Sequence, residues 1–200
     1  TIIDKSCHIL ADNYNKRVIG WDEILHGGVS TNTIIMSWRG TQGGIEAGSK
    51  GHDVIMTPLT EGMYINFYEG DAKLEPVANG NGEQYPLSKV YSYNPTPKEL
   101  DNVSHRILGV QANVWGEFLY NTDIVEHMSF PRALALAEIG WTELKNKDYE
   151  DFKRRLHNAL VRLDLHNINY KIPYPTQPYG SSNSVAFVDS IRIPFTISRE

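Results

Sequence analysis

Large aromatic side chains follow the apolar segments of this chain, and polar residues lie close beside two of them. The set comprises Trp21, Trp38, Tyr64 with Asn66, and Trp115 with Glu117. Flat aromatic surfaces suit the C–H faces of a sugar ring, whereas carboxylate and amide groups hydrogen-bond to its hydroxyls. One such tryptophan could simply cover the core, but three at the ends of different segments indicate a shared carbohydrate pocket.

The apolar segments themselves are typical of strands that are buried on both faces. They are residues 17–21 (RVIGW), 33–38 (TIIMSW), 53–57 (DVIMT) and 107–115 (ILGVQANVW). Strand-like and helix-like patterns alternate along the chain, which predicts an α/β fold with a parallel sheet. Because ligand sites in such folds lie at the carboxyl ends of the strands, the aromatic residues should meet there.

Helical spacing of apolar residues predicts the elements between these strands. Residues 1–16 and 42–49 are predicted helices, and an amphipathic helix is predicted to begin near Asp148. A further helix should have Ser129 as its N-cap and Pro131 in its first turn. We expect Trp141, at the end of that helix, to lie in the core.

Two stretches have a different character. Residues 58–106 form a long connection rich in Gly, Pro, Asn and Tyr, and its aromatic residues predict an ordered, packed loop. Residues 172–200 begin as a proline-containing linker and continue with a strand-like alternation (VAFVDSIRIPFTI). We interpret residues 172–200 as a short β tail that reaches towards another domain.

The composition argues against several classes of function. Across 200 residues, 19 Lys and Arg face 24 Asp and Glu, and this net charge of −5 does not fit a general nucleic-acid binder. No apolar run approaches the roughly 18 residues of a membrane-spanning helix, so no membrane partner is predicted. Cys7 is the one cysteine, and the seven histidines lack ligand spacing. Phosphate-loop, G-x-G-x-x-G, G-x-S-x-G and H-E-x-x-H motifs are absent, and we predict neither a metal nor a cofactor.

Five segments together resemble the catalytic domain of the glycoside hydrolase family 20 β-N-acetylhexosaminidases. They are GWDEIL (20–25), SWRG (37–40), MYINFYEG (63–70), GVQANVWGE (109–117) and FPRALALAEIGW (130–141). The resemblance covers about residues 1–170 and implies strands five to eight of a (β/α)₈ TIM barrel. A full barrel of this kind needs about 250 residues, so the length fits half a barrel. Residues 1–171 would be the half barrel, and 172–200 the start of a following β-rich region.

The resemblance also implies a reaction and a role for each residue of the pocket. Family members remove terminal β-linked N-acetylglucosamine or N-acetylgalactosamine with retention, and the substrate's own acetamido oxygen is the nucleophile. An Asp–Glu pair after strand four, which would lie upstream of Thr1, does the acid/base work: the Asp orients the acetamido nitrogen, and the Glu protonates the leaving oxygen. The implied roles are an acetamido-binding hydroxyl on Tyr64, pocket walls at Trp21, Trp38 and Trp115, and hydroxyl-binding groups at Asn66 and Glu117.

An adjacent Asp22–Glu23 pair could be mistaken for that catalytic dyad. It directly follows the pocket-type Trp21, and Trp38 comes after one short connection, as expected of strands five and six. We therefore interpret Asp22 and Glu23 as a structural or rim pair. We likewise expect Arg39 and Arg132 to form structural ion pairs.

Two alternatives remain open from the sequence. The chain could be a non-catalytic carbohydrate-binding module, or part of another retaining barrel glycosidase that uses Glu117 as its carboxylate. We expect the chain alone to be inactive, because it would lack the general acid, and to self-associate through its open sheet edges. A secreted or periplasmic location is suggested by the resemblance alone.

Overall fold

The computed structural model describes residues 1–70, 75 and 84–172, so the predicted tail lies outside the described residues except for Ile172. The helices are α1 (Ile2–Tyr14), α2 (Gln42–Ser49), α3 (Leu87–Ser92), α4 (Thr122–Ser129), α5 (Arg132–Trp141) and α6 (Tyr149–Leu165). The strands are β1 (Ile19–Trp21), β2 (Ile34–Ser37), β3 (Val54–Met56) and β4 (Ile107–Val110). No helix among these residues combines the length and apolar character needed to cross a bilayer.

The four strands form one parallel sheet in the order β1-β2-β3-β4. The register aligns Trp21 with Met36 and Met56 with Val110, so the carboxyl ends lie along one edge. This confirms the predicted parallel α/β sheet. The fourth strand is shorter than predicted, since β4 ends at Val110, but Asn113 beyond it forms a further parallel bridge with Tyr64.

Helix α2 covers the sheet at close range, and the residue types explain why it can. Ile35, Val54 and Met56 are fully buried in the sheet. A Cβ at Gly44 of α2 would lie 2.5 Å from the sulfur of Met56, so any larger residue would require Met56 to shift. The predicted helix 42–49 is confirmed to the residue.

The predicted start of α5 is wrong. Ser129 is the last residue of α4 rather than an N-cap, and Pro131 occupies the position before α5. The signal for α4 was Asn121, whose side-chain oxygen accepts a hydrogen bond from the backbone amide of Ile124 at 2.9 Å. The cap thus lies eight residues before Ser129.

The prediction that Trp141 is a core residue is also wrong, because its side chain is 92% exposed. The buried positions of α5 are Arg132, Ala135 and Ile139, which share one helical face. Trp141 follows Ile139 by two residues, and a rotation of about 200° places it on the opposite side of the helix. The helix predicted to begin near Asp148 is confirmed, because Asp148 caps α6. In the long connection, Tyr85, Tyr91 and Tyr93 are buried as a packed segment requires, but the described part of this connection also contains helix α3, which was not predicted.

Candidate active site

A cavity of about 440 Å³ opens at the carboxyl ends of the strands. Its lining is mainly aromatic with two carboxylates, and consists of Trp21, Glu23, Trp38, Leu59, Tyr64, Phe67, Trp115 and Glu117. Trp21 ends β1, Trp38 directly follows β2, and Leu59 lies three residues beyond β3. Five of the six pocket residues predicted from the sequence therefore share one cavity.

Four of these side chains form a closed cycle of ring contacts, which we call the aromatic wall: Trp21, Trp38, Tyr64 and Trp115. The ring centroids of Trp21 lie 6.4 Å from Trp38 and 6.0 Å from Trp115. The ring of Tyr64 stacks on Trp38 at 6.2 Å and lies 6.0 Å from Trp115. Each ring therefore contacts two others, which gives a preformed apolar surface at the carboxyl ends of the strands.

Tyr64 is held in the wall by its backbone as well as by its ring. The amide of Ile65 donates to the carbonyl of Asn113 at 3.0 Å, and the amide of Asn113 donates to Met63 at 2.7 Å. Burial raises the pKa of the Tyr64 hydroxyl, although contacts with Trp115 and Asn113 act in the opposite direction. The hydroxyl therefore stays protonated at neutral pH and can act as a hydrogen-bond donor.

Asp22 and Glu23 hold different parts of the SWRG segment. The Asp22 carboxylate is buried and accepts from the Trp38 amide at 3.1 Å and from Arg39 Nε at 2.6 Å. The indole Nε1–H of Trp38 donates to both carboxylate oxygens of Glu23, each at 2.9 Å. Burial acts to raise the Glu23 pKa, but the Trp38 hydrogen bond and the charge of Arg39 outweigh it and leave this pKa below its ordinary value. The contacts of Asp22 and Arg39 confirm their structural ion pair.

The two predicted hydroxyl-binding residues are placed differently. Glu117 is exposed in a short 3₁₀ turn after Trp115 and lines the cavity. Asn66 is 1% exposed and is not among the lining residues. Within the described part of the chain, neither atom of its side-chain amide has a hydrogen-bond partner. The structure therefore does not bring Asn66 to the cavity surface beside Glu117.

Arg132 fixes the loop that contains Asn66. Its guanidinium is 1% exposed and donates to backbone carbonyls on both sides of that residue and on two further segments. These acceptors are Ile65 at 2.6 Å, Met128 at 2.8 Å, Phe67 at 2.9 Å and Tyr85 at 3.2 Å. Glu69 lies 3.8 Å from Nε. The expected ion pair is thus present, but the carbonyl contacts are the closer ones.

Three lining residues were missed as pocket residues by the sequence interpretation. Glu23 was assigned only to the rim, and Leu59 and Phe67 were not singled out. Their signal was proximity, because each lies within three residues of a strand end or of a pocket aromatic. Across residues 1–70, 75 and 84–172, no group of three or more His, Cys, Asp or Glu side chains is placed to hold a metal.

Comparison with known proteins identifies the family. Residues 3–144 match the model of "Glycosyl hydrolase family 20, catalytic domain". The chain is 52% identical over 196 residues to a β-hexosaminidase of Porphyromonas gingivalis, covering 98% of the chain and 25% of that protein. A β-hexosaminidase of Vibrio furnissii is 37% identical over 128 residues, covering 62% of the chain and 21% of that protein.

The solved structures agree with the sequence comparisons. The structure of an exo β-N-acetylglucosaminidase of this family from Vibrio harveyi, in complex with N-acetylglucosamine, is 34% identical with a TM-score of 0.75. The match covers 82% of the chain and 26% of that protein. The chain thus spans about a quarter of the length of these relatives. More than two thirds of its residues match the family model, and the chain belongs to glycosyl hydrolase family 20.

Proposed function

We propose that the chain forms the sugar-binding part of a β-N-acetylhexosaminidase, which hydrolyses terminal β-linked N-acetylglucosamine or N-acetylgalactosamine. The single observation that carries this proposal is the aromatic wall, in which three indole rings pack with Tyr64, whose hydroxyl is protonated. Such a surface fits an acetamido sugar. Its flat apolar rings can contact the sugar ring and the acetamido methyl, and its one hydroxyl donor can bind the acetamido oxygen. The Vibrio harveyi relative, solved with N-acetylglucosamine, supports the same ligand class.

The proposed mechanism uses the acetamido oxygen of the substrate as the nucleophile. The Tyr64 hydroxyl donates a hydrogen bond to this oxygen. The bond holds the oxygen near the anomeric carbon and stabilises the charge of the cyclic intermediate. The rings of Trp21, Trp38 and Trp115 pack on the acetamido methyl and the sugar. Glu117 accepts hydrogen bonds from outer hydroxyls, a role that the sequence also assigned to Asn66.

The general acid of this mechanism is not Glu23. An acid must be protonated before the leaving oxygen departs, whereas the Glu23 pKa is lowered and both its oxygens accept from the Trp38 indole. We therefore place the acid/base Asp–Glu pair outside residues 1–200, as the family resemblance implies. The isolated chain should be inactive for that reason.

We also infer that residues 1–171 are the second half of a (β/α)₈ barrel and that 172–200 lead into a further region. The strand order supports this arrangement, because within the described residues β1 and β4 are the edge strands of an open parallel sheet. Ile19 on β1 and Leu108 on β4 are each about half exposed, at 51% and 53%. Barrel closure would cover both edges.

The test of the proposed function is Tyr64→Phe in an active protein that contains this chain, assayed with an aryl N-acetyl-β-glucosaminide. The variant keeps the ring contacts and removes one donor, so kcat should fall by roughly 10²-fold while KM changes little. Tyr120→Phe is the control, because Tyr120 is 75% exposed and does not line the cavity.

Other outcomes point to other functions. An unchanged kcat would contradict the role of Tyr64. Sugar binding without any turnover in the protein would indicate a carbohydrate-binding module. Loss of nearly all turnover in Glu117→Gln would indicate a glycosidase that uses Glu117 as its carboxylate. Hydrolysis by the purified 200-residue chain, abolished by Glu23→Gln, would make Asp22 and Glu23 the dyad after all.

A further inference from the structure

The Asp22–Glu23 pair has no role in the mechanism above, yet it contacts the cavity wall directly. We propose that Glu23 is a positioning residue, which orients the Trp38 indole within the aromatic wall while Asp22 fixes the Trp38 backbone. This inference rests on the proposed function for its kinetic consequence. The hydrogen bonds of Asp22 and Glu23 are present in the structure whatever the function is.

The backbone of Trp38 is fixed by the buried carboxylate of Asp22. Asp22 is 1% exposed, and its Oδ2 accepts from the Trp38 amide while Oδ1 accepts from Arg39 Nε. Helix α2 closes over the carboxylate, because a Cβ on Gly43 would lie 2.6 Å from Oδ2. Asp22 therefore cannot move away, and the Cα position of Trp38 is set.

The backbone contact leaves the rotation of the Trp38 side chain undefined. An indole has two side-chain torsions, and turning the ring over would move Nε1 to the other side of the wall. The contacts with Trp21 and Tyr64 hold the plane of the ring, and Glu23 selects the side on which Nε1 lies, since its two oxygens each lie 2.9 Å from Nε1. The ionised carboxylate makes this a charge-assisted bond, which is stronger than one to a neutral acceptor.

The orientation of Trp38 affects the rest of the wall. Its ring stacks on Tyr64 with an angle of 22° between the planes, and it meets Trp21 edge-on at 77°. A rotated indole would break both contacts and change the surface beside the Tyr64 hydroxyl. Glu23 itself is exposed, so its loss should affect the site much more than the stability of the fold.

The first test measures the hydrogen bond in a protein that contains the chain and requires no activity. The indole N–H signals are recorded by ¹H–¹⁵N NMR with ¹⁵N-labelled tryptophan, and Trp38→Phe identifies the signal of Trp38. Glu23→Ala should move that signal upfield and speed its exchange with water, while Glu46→Ala, a carboxylate outside the cavity lining, should not. An unchanged Trp38 signal in Glu23→Ala would overturn the proposal.

The second test is a double-mutant cycle in an active protein that contains the chain. Glu23→Ala should lower kcat/KM roughly tenfold, as expected for one charge-assisted bond, and Glu23→Gln should lose less because it keeps one acceptor. In the Trp38→Phe background, which has no Nε1–H, Glu23→Ala should have almost no further effect. Additive losses would overturn positioning and indicate direct contact between Glu23 and the sugar.

The two tests separate this inference from the proposed function. If the protein hydrolyses no N-acetylhexosaminide but the Trp38 indole signal responds to Glu23→Ala, the function fails and the positioning stands. If hydrolysis is normal and the indole signal does not respond, the positioning fails and the function stands.

Discussion

Replacing Arg132 with alanine should destabilise the chain more than any exposed arginine replacement. Arg132 is the largest fully buried side chain of the described residues, and its two terminal nitrogens donate to four backbone carbonyls. These carbonyls belong to the segment around Asn66, to Tyr85 and to α4. One side chain therefore holds together three segments that lie far apart in the sequence.

The magnitude follows from the burial of these groups. Truncation leaves four carbonyls without their donor and leaves Glu69 without its nearest cation. Breaking a buried charged network usually costs about 3–5 kcal/mol, against a total stability of roughly 5–15 kcal/mol for a domain. The cost should lie in this range rather than above it, because Glu69 can take up a proton once Arg132 is gone. Burial already raises the pKa of Glu69, and Arg132 is the main group that opposes this shift.

The assay is urea unfolding of the chain followed by circular dichroism, with Arg154→Ala as the matched control at the same chain concentration, because association changes the apparent stability. Arg154 is 76% exposed and, among the residues that the structure describes, forms its ion pair with Asp151 alone, on the same helix, so its loss should cost no more than about 0.5 kcal/mol. A loss below about 1 kcal/mol in Arg132→Ala, with an unchanged m-value, would refute the reasoning. It would mean that the loop around Asn66 is held by other contacts.

Two further predictions concern the ion pairs of Glu75 with His127 and Lys171, and the edges of the sheet. Burial acts to raise the Glu75 pKa, but His127 and Lys171 outweigh it and lower this pKa to about 2, from 4.5. A lowered pKa stabilises the fold above pH 4.5 and loses this stabilisation towards pH 2, so the wild type should lose on the order of 3 kcal/mol more than Glu75→Gln over that window. An equal change in the free energy of unfolding with pH in the two proteins would contradict this prediction. Light scattering should find the isolated chain associated, because the open edges of β1 and β4 can pair with another copy, and a stable monomer would count against the half barrel.

The sequence predicted the sheet and most of the pocket because both depend on local patterns. Apolar segments identify buried strands, and parallel strands bring their carboxyl ends together, so Trp21, Trp38 and Trp115 could be placed without coordinates. The prediction for Trp141 failed because an apolar side chain was equated with burial, whereas its position on the helix faces it outwards.

The position of Asn66 could not be read from the sequence for a different reason. The Phe67 amide donates to the Tyr64 carbonyl at 3.2 Å, so the chain turns immediately after Tyr64. The turn ends the alternation of a strand, and Arg132, distant in sequence, holds the carbonyls on both sides of Asn66. The hold of Glu23 on Trp38 was equally hidden, because residues 15 apart meet only when β1 and β2 pair.

A crystal structure of an active protein that contains this chain, with N-acetylglucosamine bound, would show whether the aromatic wall binds an N-acetylhexosamine through Tyr64. We expect the sugar in the cavity of Trp21, Trp38 and Trp115, with its acetamido oxygen within hydrogen-bond distance of the Tyr64 hydroxyl. A sugar bound outside this cavity, or inside it with the acetamido group turned away from Tyr64, would contradict this prediction.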